Sequence, residues 1–348
     1  MAGVIDTTLF GLVHDFFKVY LPNQKKSSPH TIRAYQTALE SLFDFIKEKR
    51  NISLSEITFE MIDNKLLTMF LDSLEENGCS ISTRNHRLNC IRSFYIYAAG
   101  MDSTSVVYRA EILKVPRKKT DKPDFVDYMS EAAVKALLEQ PDTLTKKGVR
   151  DQFLMLLMYD TAARIQEILS IYLCDIRLGK TPTIILRGKG SKIRTVPLMK
   201  QTVEHFENYT RIFHSEESDY SQQPLFYSDR RGEKSALDAS TVRKMIAAYG
   251  ETAREKCADI PQKIHPHLFR HSRAMHLYQH GMDLTLISQW LGHAQLDTTL
   301  IYAHADTEHK RKAIENATAK DSPLKNRLNA ERYTVSDDDM LKKLYGLK

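Results

Sequence analysis

Three short stretches of the chain hold side chains whose types and spacing could act on a phosphate. They are His267-x-x-Arg270-His271, Leu291-Gly292-His293 and Ile301-Tyr302-x-His304. On a helix, residues three apart share a face, so His267 and Arg270 can address one target. The first offers a titratable proton, the second a cationic fork that stays ionised. Upstream lie Thr161-Ala162-Ala163-Arg164 and a glycine-rich basic stretch, Gly188-Lys189-Gly190-Ser191-Lys192. Two arginines can clamp the charge of a phosphoryl transition state with paired donors. A tyrosine hydroxyl can hold the phosphoryl group covalently, but with a pKa near ~10 it needs help to lose its proton. Taken singly each piece is weak, since a lone histidine or one H-x-x-R is more often structural. The ordered set is specific.

These side chains need a scaffold. Up to about residue 110 the sequence reads as helices, with Leu9, Val13, Phe16, Phe17 and Tyr20 at helical spacing. Ser28 and Pro29 mark the start of a second helix that buries Ile32, Tyr35, Leu39, Leu42, Phe43 and Ile46. A third helix is predicted from Phe59 to Asn77, and a fourth from Ser82 to Ala99, each ended by a glycine. Residues 115–124 (VPRKKTDKPD) have a linker composition. Beyond them, helices are predicted at Ser130–Leu138 and Lys147–Leu173. Thr183–Arg187 and Ile193–Leu198 are β-rich runs on either side of the basic stretch, which reads as the turn of a hairpin. Helical patterns return from about Ala239. Near the end, Asp306–Ala319 and a capped amphipathic segment bearing Met340, Leu341, Leu344 and Tyr345 read as helices.

On these residues the chain resembles the tyrosine recombinase (phage integrase) family, which includes the Xer-type and Cre-type enzymes. The likeness runs from Arg164 to His304 and, more faintly, through SSPHTIRAYQTALESL near the N-terminus. It implies a mainly α fold with a small β-hairpin or sheet. A helical, SAM-like core DNA-binding domain would occupy residues 1–114, a linker 115–124 and a catalytic domain 125–322. A tail, 323–348, would carry a helix that docks on its own domain or on a neighbouring subunit. The family's active-site set falls on Arg164, Lys189, His267, Arg270, His293 and Tyr302. Lys189 suits a general acid for the leaving 5′-oxygen, His267 a general acid or base, and His293 a donor to the phosphate. Lys192 is a second candidate for the hairpin lysine. Ala162 stands where the family often has glycine, and Phe269 where it often has leucine, so small packing changes are expected.

Further residues carry two readings each. Glu167, three after Arg164, either orients that guanidinium or forms an ordinary surface pair. His271 either supports the site or belongs to the core, while His265 and His304 read as incidental. Candidate DNA contacts are Lys25, Lys26, Arg84, Arg87, Arg92, Arg117, Lys118, Lys119 and Lys192.

Composition narrows the field. The net charge of +6 permits nucleic-acid binding without proving it. No apolar run approaches the ~18 residues of a membrane span, and no basic segment precedes an apolar stretch as in a signal peptide. A cytoplasmic protein is expected. Cys79, Cys90, Cys174 and Cys257 lie far apart and read as free thiols. No carboxylate cluster calls for a metal and no G-x-x-x-x-G-K-[ST] loop for ATP, so no cofactor is expected.

The resemblance therefore implies a site-specific DNA recombinase. It would work through a 3′-phosphotyrosyl intermediate at Tyr302 and a Holliday junction. Its partners would be double-stranded DNA with an inverted-repeat-like core site and further copies of itself, as dimers or tetramers. Accessory proteins or a sister recombinase would join where needed. The length of the chain and its tail favours a mobile-element integrase or transposase. The rivals are a type IB topoisomerase-like enzyme, a catalytically silent DNA-binding regulator of the same fold, and a metal-dependent nuclease.

Overall fold

A computed structural model describes residues 7–120, 127–188, 192–218, 220–230, 232–293 and 295–305, with positions 311, 314 and 342. The predicted tail helices lie outside the described residues. The chain divides into two compact units, Met1–Lys122 and Pro123–Lys348. No helix among the described residues is long and apolar enough to cross a membrane. All four cysteines are free.

The first unit is helical. It contains α1 (Thr7–Asp15), α2 (Pro29–Arg50), α3 (Asn64–Glu76), α4 (Ile81–Met101) and α5 (Val106–Lys114). The α1 helix runs on into a wider π-helical stretch, Phe16–Gln24. Ser28 caps α2 as predicted, its hydroxyl accepting from the Thr31 N–H. The third and fourth predicted helices are corrected at their ends. Phe59–Met61 forms a separate 3₁₀ turn, and α3 begins only where the Asp63 carboxylate accepts from the Leu66 N–H. Ser80, not Ser82, caps α4, and the helix runs through Gly100 to end where the Asp102 N–H bonds the Ala98 carbonyl. The described part of the predicted linker is anchored. Lys118 N–H donates to Asn85 Oδ1 at 3.0 Å, and Asn85 Nδ2 returns a bond to the Lys118 carbonyl at 2.8 Å. The core is rich in aromatic side chains, with Phe16, Phe70, Phe94 and Tyr95 fully buried. Burying each of these phenylalanines contributes roughly 1.5–3 kcal/mol.

The second unit begins with α6 (Glu131–Leu138), capped by Ser130, and α7 (Lys146–Thr161). The single predicted helix over Lys147–Leu173 is in fact two, because Ala162 takes a left-handed conformation (φ 50°) and α8 (Ile165–Leu169) starts afresh. Next come β1 (Ile176–Arg177), β2 (Thr183–Arg187) and β3 (Ile193–Pro197). The β2–β3 pair is the predicted hairpin, antiparallel with Thr183 opposite Pro197 and Arg187 opposite Ile193. The short β1 adds a third, antiparallel strand to β2. Then follow α9 (Lys200–Phe213) and a second hairpin, β4 (Tyr227–Arg230) with β5 (Glu233–Ala236). The unit continues with α10 (Ala239–Arg254), α11 (Pro266–Gln279), α12 (Leu284–Leu291) and α13 (Asp297–Ala305). Its main core gathers Phe153, Leu157, Ile184, Leu186, Tyr209 and Phe269. A smaller cluster of Ala162, Ala274, Met275, Ile287 and Leu291 encloses Tyr302.

Candidate active site

The site grows from the break at Ala162. A left-handed residue ends α7, so the chain turns and Arg164 becomes the cap residue of α8. Glu167, one turn on, closes back on it. Its Oε2 accepts from the Arg164 N–H at 2.9 Å and its Oε1 from Arg164 Nη1 at 3.0 Å. Arg194 on β3 donates Nη2 to Glu167 Oε2 at 2.7 Å and Nε to the Trp290 carbonyl at 3.1 Å. Glu167 is only 3% exposed. Burial raises its pKa, but Arg194 and then Arg164 outweigh that and hold it below the usual carboxylate value. Glu167 is thus a buried partner bonded to Arg164 and not an exposed surface pair.

Arg270 is buried in α11, 3% exposed. Its Nη1 donates to the Ala162 carbonyl at 2.8 Å and its Nη2 to the Leu291 carbonyl at 2.7 Å. Burial first, then the charges of Arg164 and Arg194, pull its pKa down to about 10. It still carries its proton at neutral pH. Gly292 ends α12 in the left-handed region (φ 65°), and a β-carbon there would lie 3.0 Å from Arg194 Cδ. The glycine of the L-G-H motif is thus favoured by its left-handed backbone, and Arg194 would have to shift to admit a side chain there. His293 follows directly. Its Nδ1 shares a 2.8 Å hydrogen bond with the Thr299 hydroxyl, which sets the ring. Burial, then Arg270 and Arg164, bring the His293 pKa down to about 4.

Tyr302 lies in α13 and is 1% exposed. Its hydroxyl meets His271 Nδ1 at 3.0 Å. Burial pushes the phenol up to about 12, against the pull of Arg270 and Arg164. His271 is itself brought down to about 4, by burial first and then by His267 and Arg270. His267 is exposed, and its pKa is lowered by partial desolvation and by His265, Arg270 and Arg164. His265 stands beside it, ring centroids 6.5 Å apart.

Arg164, Glu167, Gly188, Lys192, Arg194 and His293 line a cavity of about 440 Å³. Arg270 and Tyr302 lie behind it, within electrostatic reach of Arg164. The structure therefore gathers Arg164, His267, Arg270, His271, His293 and Tyr302 with Glu167 and Lys192. Lys189 and the side chain of His304 lie outside the described residues. Among the described residues no cluster of His, Cys, Asp or Glu could hold a metal ion. Sequence reasoning missed Arg194. Its only signal is register: it shares the inward face of β3 with the buried Val196, an unusual place for an arginine.

The predicted DNA contacts divide. Lys25, Lys26, Arg117, Lys119 and Lys192 are exposed. Lys118 is exposed too, but its ammonium lies 2.7 Å from Glu75 and 3.6 Å from Asp72. Arg84 is corrected: it is 2% exposed, paired with Glu75 at 3.0 Å and donating to the Pro116 carbonyl at 3.3 Å. Arg87 donates to Ser41 Oγ, and Arg92 to the carbonyls of Leu113 and Val115. These three sit on α4, whose buried positions surround it, so their forks turn to the protein's own acceptors.

Comparison with known proteins agrees with this architecture. Residues 127–309 match the model of the phage integrase family, and residues 15–100 that of the phage integrase N-terminal SAM-like domain. A putative integrase/recombinase, y4rC of Sinorhizobium fredii, is 32% identical over 342 residues, covering 98% of each chain. Tyrosine recombinase XerC of Oceanobacillus iheyensis is 29% identical over 304 residues, 86% of this chain and 93% of that one. The fold is similar to the crystal structure of the site-specific recombinase XerH bound to its palindromic difH substrate in a post-cleavage complex. The TM-score is 0.64, with 22% identity and 88% of each chain covered. This chain belongs to the phage integrase family and is a tyrosine-type site-specific recombinase.

Proposed function

We propose that Tyr302 is the nucleophile that cuts and rejoins DNA. Its hydroxyl oxygen would attack the scissile phosphorus, forming a bond to the 3′-phosphate as the bond to the 5′-oxygen breaks. The phenol proton passes to a neighbouring base, with His271 already in hydrogen-bond contact. The leaving 5′-oxygen takes a proton from the hairpin lysine, Lys189 or Lys192. Arg164 and Arg270 clamp the non-bridging oxygens, and His267 and His293 complete the ring of donors. A 5′-hydroxyl from a second strand then attacks the phosphotyrosine, frees Tyr302 and completes one exchange. Two such exchanges pass through a Holliday junction and need several copies of the chain on an inverted-repeat-like site, with accessory or sister proteins where the site demands them. Likeness to y4rC, a putative integrase/recombinase, supports integration, which in this reading is that of a mobile element.

One observation carries the reading. Arg164 and Arg194 share a single carboxylate, and the charged Arg270 lies within electrostatic reach of Arg164 and Tyr302, which leaves net positive charge where a phosphate would sit. The test is covalent trapping on a nicked duplex containing a site that the protein binds, with EDTA present, on a denaturing gel. Wild type is expected to give a shifted protein–DNA band that Tyr302→Phe does not give. Binding without a band in wild type would favour a DNA-binding regulator of the same fold. Relaxation of supercoils without a defined site would favour a topoisomerase.

A further inference from the structure

We infer that Arg194 is a positioning residue of this site: it neutralises Glu167, so that Arg164 keeps its charge for the phosphate, and it ties the β2–β3 hairpin to the end of α12. The inference rests on the reading proposed above.

The geometry is a shared carboxylate. Glu167 Oε1 faces Arg164 Nη1, while Oε2 faces Arg194 Nη2 and the Arg164 N–H. Arg164 is 38% exposed at its side chain, Arg194 only 14% and Glu167 only 3%. The guanidinium that reaches solvent is therefore Arg164, and Arg194 is spent inside. The charge count decides what that does. Glu167 and Arg164 alone would cancel, and a phosphate entering the cavity would meet a neutral pair there, with Arg270 left to supply the arginine charge. With Arg194 present the trio carries one net positive charge at the cavity that all three line, and Arg164 is its most exposed member.

The same side chain also fixes distance. Its Nε bond to the Trp290 carbonyl holds the last turn of α12, two residues before Gly292 and three before His293. Two glycines let the backbone close on this cluster. A β-carbon at Gly188 would sit 3.2 Å from Glu167 Oε1, and one at Gly292 would sit 3.0 Å from Arg194 Cδ. One arginine thus joins α8, β3 and α12 at a single buried carboxylate.

The test compares first-strand cleavage by the full-length protein at saturating nicked duplex, with DNA affinity and thermal melting measured in parallel. Arg194→Ala is expected to cleave about 100-fold more slowly at unchanged DNA affinity. Where that variant does not fold, Arg194→Met fills the same space and carries the test. Arg194→Lys, which keeps the charge, is expected to recover most of the rate. The decisive variant is the double substitution Arg194→Ala with Glu167→Gln, which restores the charge count. It is expected to cleave faster than Arg194→Ala alone, whereas two purely structural losses would add. Wild-type rates in Arg194→Ala, or a double variant slower than the single one, would overturn the inference alone. Failure of wild type itself to form the covalent complex would remove the underlying reading and this inference with it.

Discussion

The hydroxyl of Tyr302 lies 3.0 Å from Nδ1 of His271, a residue on α11 one position beyond Arg270. The H-x-x-R-H stretch therefore serves two targets from adjacent positions. Arg270 turns inward to two carbonyls, and His271 turns to the tyrosine. With its pKa brought down to about 4, His271 is neutral at physiological pH, so its Nδ1 can accept the phenol's hydrogen bond. His271→Phe keeps the bulk and removes the nitrogen. It is expected to slow first-strand cleavage by about 100-fold while DNA binding persists. A quenched-flow time course on a nicked substrate reads this directly, and a wild-type rate would show that His271 only packs.

Arg164 and Arg270 are expected to fail in different ways. Arg270→Ala leaves the buried carbonyls of Ala162 and Leu291 without their donors, at about 1–3 kcal/mol each. Arg164→Ala leaves Glu167 with Arg194, so its cost in stability should stay within about 1 kcal/mol. Both should lose cleavage by about 100-fold or more. Urea unfolding midpoints beside cleavage rates separate the two. Equal loss of stability in both variants would contradict this division.

Stability should fall on the acid side. His271 and His293 both stand near 4 in the folded chain, against an ordinary 6.5. Between those values the unfolded chain binds protons that the folded chain refuses, so stability rises with pH. The contribution is complete above pH 6.5 and is lost as pH falls toward 4. Melting temperature is therefore expected to drop between about pH 7 and about pH 5, and His271→Gln should flatten that slope. An unchanged slope in the variant would remove His271 from the account.

On DNA, the exposed cations should behave unlike the buried one. Substituting Lys25, Lys26, Arg117 or Lys119 by alanine is expected to weaken binding at all sequences. Each true phosphate contact should lower the salt slope by about one. Arg84→Ala should instead lower the melting temperature and leave the slope alone, because that side chain is spent on Glu75 and Pro116. Affinity measured across a salt series, with melts in parallel, tests both.

Local signals were legible where side chains act on their own backbone. Ser28 and Ser130 announce the helices they cap, and the β-branched runs around Gly188 announce a hairpin. Tertiary effects were not. Alanine is the best helix former, so nothing local at Ala162 marks a break. Arg270, more than a hundred residues away, bonds the carbonyl that the break presents. The β4–β5 hairpin carries the polar stretch SDRRGEKS, with no alternation of apolar residues to reveal it. The ordered motifs pointed to Arg164, His267, Arg270, His293 and Tyr302, which the fold brings near one another, but the shared carboxylate that links Arg164 to Arg194 depends on two elements meeting in space.

Arg270 holds α11 to the turn after α7 and to the end of α12, whatever the site does chemically. Tyr302 likewise fills a small core of its own. A descendant of this chain that lost recombination would still be under pressure to keep both, because losing them would unfold it. Arg164, half open and backed by Arg194, carries no such obligation. When a silent copy of this gene is sought, the erosion should appear first at position 164.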